Sequence, residues 1–143
     1  MTRSPERLQK LLRQNQLKLR AAELVKLWSS HGVAASPVSH TRFWKLIDRL
    51  RGGRSWPLEQ VDDLRGAVSR FAGTSDLITV MGWNVEEEPP LLMSTQALLR
   101  ALDRIERVYP DGFILIDEGS QSALVIDIDG EEGTHGSRVD LPI

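Results

Sequence analysis

Apolar residues recur at helical spacing through the first seventy positions of the chain. In residues 5–30 they form two successive stripes: Leu8, Leu11, Leu12 and Leu19, then Ala21, Leu24, Val25 and Trp28. Pro5 stands where the first turn of a helix tolerates proline, with Ser4 before it as a candidate N-cap. No helix breaker separates the stripes, so the pattern allows either one bent helix or two.

Two further helices are predicted in this half. One spans residues 41–51, with Ser39 as N-cap and Gly52-Gly53 as its end. The other spans residues 58–71, opened by Ser55 and Pro57 and closed by Gly73. We therefore expect a helical domain over residues 1–73, with the domain boundary at Gly73-Thr74-Ser75.

The periodicity changes after that boundary, where short apolar runs rich in Val and Ile predict strands. The predicted elements are a strand at 77–83, an acidic loop at 86–90, a helix from Ser94 to Val108, a hairpin of strands 113–117 and 123–128, and an edge strand at 138–143. The expected fold class is therefore α+β, with a small β-α-β-β domain over residues 74–143.

The charges divide at nearly the same point. Residues 1–70 hold 14 Lys and Arg against 6 Asp and Glu, while residues 71–143 hold 4 against 14. Such asymmetry indicates a part that binds a polyanion joined to an acidic part. The alternative is that solvated helix faces account for the basic residues.

The helix at 41–51 carries the strongest functional pattern. Apolar residues define one side of it, and Arg42, Lys45 and Arg49 fall together on another at i, i+3 and i+7. A DNA-reading helix needs such a division, because one face anchors in its own core while the other enters the major groove. The alternative is that the cations form only the solvated side of a core helix.

The run Val38-Ser39-His40-Thr41-Arg42-Phe43 resembles the start of many recognition helices, and the Gly52-Gly53 stop before a helix opened by proline resembles the layout of helix-turn-helix repressors of the lambda or XRE type. The resemblance covers about residues 20–72. It implies a positioning helix at residues 21–28 and a reading helix from Thr41. The function we expect first is therefore that of a DNA-binding transcriptional regulator, and the alternative is a protein that captures a basic protein partner through its acidic half. The residues that match base- and phosphate-contacting positions are His40, Thr41, Arg42, Lys45 and Arg49.

The acidic half allows three interpretations. It forms a homodimer that matches a palindromic DNA site, it captures a basic protein partner as small acidic immunity proteins, antitoxins and phage-encoded inhibitors do, or its acidic face only keeps the protein in solution. The candidate partner-binding residues are Glu86, Glu87, Glu88, Asp127, Asp129 and Glu131.

The sequence contains little that indicates a catalytic or metal-binding site. The carboxylates from Asp127 to Glu132 resemble a calcium loop only loosely, the three histidines stand far apart, and no phosphate-loop or nucleophile-elbow motif is present. We therefore expect no enzyme, no cofactor and no metal. With no cysteine and no long apolar run, we also expect no membrane span and a cytoplasmic location. Core packing is expected for Trp28, Trp44 and Trp56.

Overall fold

The computed structural model describes residues 5–73, 75–129 and 133–142. Its helices are α1 (Pro5–Ser30), α2 (His40–Arg51), α3 (Leu64–Ala72), α4 (Thr95–Arg100) and α5 (Ile105–Val108), with a 3-10 turn at Leu102–Arg104 between the last two. Its strands are β1 (Ala35–Pro37), β2 (Arg54–Ser55), β3 (Glu59–Gln60), β4 (Leu77–Gly82), β5 (Leu91–Ser94), β6 (Gly112–Asp117), β7 (Ser122–Asp129) and β8 (Gly133–Asp140).

All eight strands belong to one antiparallel sheet, in the order β1-β5-β4-β6-β7-β8-β2, with β3 also pairing β8. The α+β class is confirmed. The expectation of helices alone in the first half is wrong, because β1 pairs β5 there and both β2 and β3 pair β8. These strands are two or three residues long, too short for an alternating pattern to show in the sequence.

Helices cover both faces of the sheet. Alternate residues of each strand point to opposite faces, so Ile78 and Val80 face one core while Met81 faces the other. The first core contains the C-terminal half of α1 together with α3, α4 and α5. The second core lies under α2 and includes Leu17 of α1. Each core draws side chains from both halves of the sequence.

Helix boundaries follow the local capping chemistry. Residues 5–30 form one helix. The predicted caps Ser39 and Ser94 are confirmed, since each hydroxyl accepts the backbone N–H three residues ahead. The prediction of a helix from residue 58 is wrong in its first part: α3 begins at Leu64, where Asp63 accepts the N–H of Gly66. The preceding residues form β3 on the sheet edge instead.

The last predicted strand begins earlier than expected. β8 starts at Gly133 and is covered by β2 and β3, so it is not the edge of the sheet; Ile143 lies outside the described residues. The predicted core packing is confirmed for Trp28, which is fully buried. Trp44 is half-buried, and for Trp56 the prediction is wrong because its side chain is exposed. Among the described residues, no helix is long and apolar enough to cross a membrane.

Candidate functional site

Helix α2 presents its polar side to solvent because its apolar side is fixed on the sheet. Phe43, Leu46 and Ile47 are buried in the second core. Thr41 and Lys45 are consequently exposed. The predicted DNA-contacting residues therefore lie on a helix whose apolar side is anchored in the core. The sequence pattern predicted this division of α2 into an apolar side and a polar side.

The three predicted cations of α2 differ in whether they contact a carboxylate of the chain itself. Arg42 forms an ion pair with Glu118, which lies in the turn between β6 and β7. Lys45 is exposed and Arg49 half-buried; within the described part of the chain neither forms an ion pair. Two of the three predicted cations thus have no carboxylate partner among the described residues, and the third is engaged by the acidic half.

His40 serves the packing of α2 at its N-terminal end. The indole N–H of Trp44 donates to His40 Nε2 at 3.0 Å, and the two rings meet edge to face with centroids 6.0 Å apart. Both residues line a groove between α1 and α2 that also contains Lys10 and Arg13. His40 is therefore already occupied by a contact within its own helix.

The acidic loop between β4 and β5 faces α1 rather than an open surface. Glu86 pairs with Arg13 at 3.0 Å, and Glu87 pairs with Arg20 at 3.2 Å. All four side chains stay at least partly exposed, so each pair is screened by solvent and contributes less than about 1 kcal/mol. The two carboxylates nevertheless have partners within the chain.

Glu88 differs from its neighbours because it is half-buried. Burial raises the pKa of its carboxyl group, a hydrogen bond with the Asn84 backbone lowers that pKa, and the negative charges of Asp111 and Glu87 raise it. The net direction of the pKa change is upward. A carboxyl group held this way is a weaker candidate for attracting a cation than an exposed one.

The remaining predicted acidic residues lie on or beyond β7. Asp127 stands opposite His135 in the pairing of β7 with β8. Asp129 is the last residue of β7 and pairs with Gly133; its side chain, and all of Glu131, lie outside the described residues. Within the described residues, no group of three acidic or histidine side chains is placed to hold a metal ion.

A surface that was not predicted from the sequence lies at the end of the sheet where β2 and β3 pair with β8. We call it the Trp56 surface and define it as Trp56, Leu58, Glu59, Asp62 and Asp63, all of which are exposed. Trp56 is 49% exposed and Leu58 61% exposed. The sequence carries no local signal for this surface, because a proline at residue 57 is compatible with the first turn of the helix predicted there.

The Trp56 side chain is held in place despite its exposure. Its indole N–H donates to Asp140 Oδ2 at 3.0 Å, and the Arg54 guanidinium lies 5.6 Å from the ring centre. Its backbone N–H donates to the Arg138 carbonyl at 2.8 Å, and its own carbonyl accepts the Ser137 hydroxyl at 2.6 Å. The ring therefore projects from a fixed backbone in one orientation.

A groove of about 420 Å³ runs beside this ring, between residues 56–63 and α3. Its apolar lining includes Val61 and Leu124. Gly136 allows Val61 to approach the sheet, since a Cβ there would lie 3.0 Å from Val61 Cγ2. The arrangement places an exposed aromatic residue beside a groove that has apolar, acidic and basic side chains, the basic ones being Arg70 and Arg138.

In comparisons with known proteins, no family model, curated protein or solved structure gives a significant match to the chain.

Proposed function

We propose that this chain is a non-catalytic binding protein that captures a basic protein partner through the Trp56 surface, in the manner of a small inhibitor, immunity protein or antitoxin. The observation that carries the proposal is the half-exposed indole of Trp56, fixed by its hydrogen bond to Asp140 and placed beside a groove whose lining includes three carboxylates. The proposed partner is a basic protein, as in one interpretation of the sequence, but the proposed interface is the Trp56 surface and not the loop at residues 86–88.

Tryptophan is among the residues that most often dominate binding energy at protein interfaces. A ring already held by hydrogen bonds loses little conformational freedom on binding, which removes one of the usual costs of association. The groove beside it offers apolar surface for a partner side chain.

Charge favours a basic partner. Three carboxylates line the groove, on Glu59, Asp62 and Asp63, against two guanidinium groups, on Arg70 and Arg138, and that of Arg138 is already paired with Asp140. Carboxylates around an apolar centre raise the rate of encounter with a cationic surface more than they raise the affinity. We therefore expect binding to slow as salt increases.

Binding by matched variants tests the proposal. The partner is isolated from extracts of the source cells with the intact chain, identified, and titrated against each purified variant. Trp56→Ala should weaken binding by about 2 kcal/mol or more, roughly 30-fold. Trp83→Ala is its control, because Trp83 is 46% exposed in another part of the fold. Leu58→Ala, at 61% exposure, is matched by Leu77→Ala at 57%.

Equal affinity for Trp56→Ala and Trp83→Ala would remove the Trp56 surface from consideration. Retained binding after Glu86 and Glu87 are both changed to Gln is expected, since those carboxylates pair with α1. Loss of binding in that variant, with Trp56→Ala unaffected, would return the interface to the acidic loop.

A second candidate function is DNA binding by a transcriptional regulator of the helix-turn-helix kind, with α2 as the reading helix and the C-terminal half of α1 as the positioning helix. The observation that favours it is that Lys45 and Arg49 have no carboxylate partner within the described residues. Lys10, which lines the groove beside Trp44 together with Glu6 and the paired Arg13, would extend the cationic surface.

Affinity for duplex DNA measured across a salt series tests this second function. Removing one cation that binds a phosphate should reduce the salt slope by about 0.9. The double variant Lys45→Ala, Arg49→Ala should therefore show a smaller slope than the intact chain. Arg42→Ala is the control, because its guanidinium is engaged by Glu118. An unchanged slope in the double variant would eliminate α2 as a DNA-binding element.

A further inference from the structure

The solvent side of α1 carries an apolar stripe that no part of the described chain covers. Leu8 is 51% exposed, Leu12 59% and Leu19 67%. Asn15 and Ala22 lie on the same side and are also exposed. Isolated exposed leucines are common on protein surfaces, but several on one helix face form a patch of the kind that marks an interaction site.

The spacing of this stripe is that of a coiled coil. Leu8, Leu12, Asn15, Leu19 and Ala22 follow one another at alternating intervals of four and three residues, and we call these five residues the α1 seam. An alternation of four and three is a seven-residue repeat, which turns one narrow stripe of a helix toward a second helix along its length. The stripe that packs on the protein's own core lies on the opposite side of α1, at Leu17, Ala21 and Leu24.

We propose that the α1 seam is the site at which a second copy of this chain binds, with the two α1 helices parallel. A parallel pair is favoured by the charges beside the seam. Lys18 precedes the seam residue Leu19, and in a parallel repeat it faces Glu23 of the second copy, five positions further along, whose carboxylate also pairs with Arg20 of its own helix at 3.3 Å. An antiparallel pair centred on Asn15 would instead set Lys18 near Leu11 and Glu23 near Gln9 of the second copy, so the opposite charges would not meet.

Asn15 supports a specific pairing of two copies. An amide buried in an otherwise apolar seam favours the register in which it finds a hydrogen-bond partner, at some cost in stability. In a parallel pair the two Asn15 side chains meet and hydrogen-bond to each other. The same residue argues against a lipid surface as the occupant, because it would place an uncompensated amide at the centre of the apolar face.

The width of the apolar face also favours a helix over a membrane. Gln9 and Gln16 border the seam on one side, while Leu11 and Lys18 border it on the other. The apolar face is therefore a narrow stripe that only Leu11 widens. A helix that lies in a membrane surface presents a broader apolar face.

The helix is already ordered before any second copy binds. A short isolated coiled coil is marginal, because the helices must form as they associate. Here Leu17, Ala21, Leu24 and Trp28 hold the C-terminal half of α1 against the protein's own cores, and the seam residues Leu19 and Ala22 lie in that anchored part. Association therefore loses less backbone freedom than the pairing of two isolated helices would.

The dimer is compatible with the proposed function and does not depend on it. α1 packs beside β1 at one edge of the sheet, whereas the Trp56 surface lies beside β8 toward the other edge. A dimer formed through the α1 seam would leave both Trp56 surfaces free.

Sedimentation equilibrium of the full chain over a dilution series tests the proposal. The intact chain should sediment as a dimer at high concentration. The double variant Leu12→Glu, Leu19→Glu should be monomeric, with an unchanged circular dichroism spectrum because both side chains are exposed. Leu27→Glu is the matched control, since Leu27 is an exposed leucine of the same helix off the seam. A monomeric intact chain, or a seam variant that still dimerises, overturns the proposal.

Single cysteines determine the direction, because the chain has none of its own. In a parallel pair, Leu8→Cys and Ala22→Cys should each form a disulfide dimer on mild oxidation, while Leu27→Cys should not. In an antiparallel pair those positions would lie about 21 Å from their counterparts at 1.5 Å per residue, beyond the roughly 7 Å a disulfide spans. Crosslinks that form only when the Leu8→Cys and Ala22→Cys chains are mixed would overturn the parallel arrangement.

Discussion

Changing Tyr109 to Phe should destabilise the whole protein through one buried hydrogen bond. The indole N–H of Trp28 in α1 donates to the Tyr109 hydroxyl after α5 at 3.2 Å, and neither side chain has measurable exposure to solvent. The rings also pack with centroids 5.9 Å apart. Tyr109→Phe keeps the ring packing and removes the acceptor, so the Trp28 N–H is left buried without a partner.

The expected loss follows from that geometry. A buried donor left without an acceptor costs about 1–3 kcal/mol of the free energy of unfolding. For a chain of this length each 1 kcal/mol lowers Tm by about 2–4 °C, so Tyr109→Phe should melt about 2–12 °C lower. In a double-mutant cycle, Trp28→Phe and Tyr109→Phe should be coupled by about 0.5–1.5 kcal/mol, because Trp28→Phe removes the donor that Tyr109→Phe leaves unsatisfied.

Urea unfolding followed by tryptophan fluorescence and by far-ultraviolet circular dichroism measures both quantities. Trp28 belongs to the first half of the chain and Tyr109 to the second, and both lie in one core. The two probes should therefore report a single transition that shifts by the same amount in the variant. A variant as stable as the intact chain, or a shift seen by only one probe, would refute the reasoning.

Four further outcomes are expected. Burial raises the pKa of Tyr109 above its ordinary value of 10.0, so stability should be full below pH 10 and fall by about 1.4 kcal/mol per pH unit above it, and alkaline unfolding curves of Tyr109→Phe should lack this component. Gly112→Ala should cost about 3 kcal/mol or more in chemical unfolding, because φ is +127° there and a Cβ would collide with the Ile126 carbonyl. A double-mutant cycle on Arg42 and Glu118 should give a coupling below about 1 kcal/mol, since both side chains are partly exposed. A fragment of residues 74–143 should show no cooperative melting by circular dichroism, because it lacks the three strands and the α1 packing that the first half supplies.

Elements with a strong local signal could be predicted from the sequence. The hairpin of β6 and β7 is confirmed close to its predicted bounds, because both strands are long apolar runs flanking a polar turn. The caps at Ser39 and Ser94 are confirmed because a hydroxyl before an apolar periodic run satisfies the free N–H groups of a helix end.

Elements that depend on distant partners could not be predicted. β1 and β3 are strands because β5 and β8 offer them unpaired backbone groups, and no property of three residues shows that. The same limit applied to the candidate site. The spacing of Arg42, Lys45 and Arg49 predicted one exposed side of α2, but the partner of Arg42 stands 76 positions away in the sequence.

The fold pairs basic residues of the first half with acidic residues of the second half, and this changes what the charge asymmetry of the sequence implies. Arg13, Arg20 and Arg42 belong to the basic half, and each pairs with a carboxylate of the acidic half. A count of charges by half treats those cations as available to a polyanion, although each already faces a negative charge a few ångströms away. The Trp56 surface shows the converse, because its three carboxylates belong to the half that is basic overall. The sign of the charge on a binding surface of this chain therefore depends on which residues the fold brings together at the end of the sheet, and not on the net charge of the sequence half they belong to. For this reason we propose that a basic partner binds within the half that is basic overall.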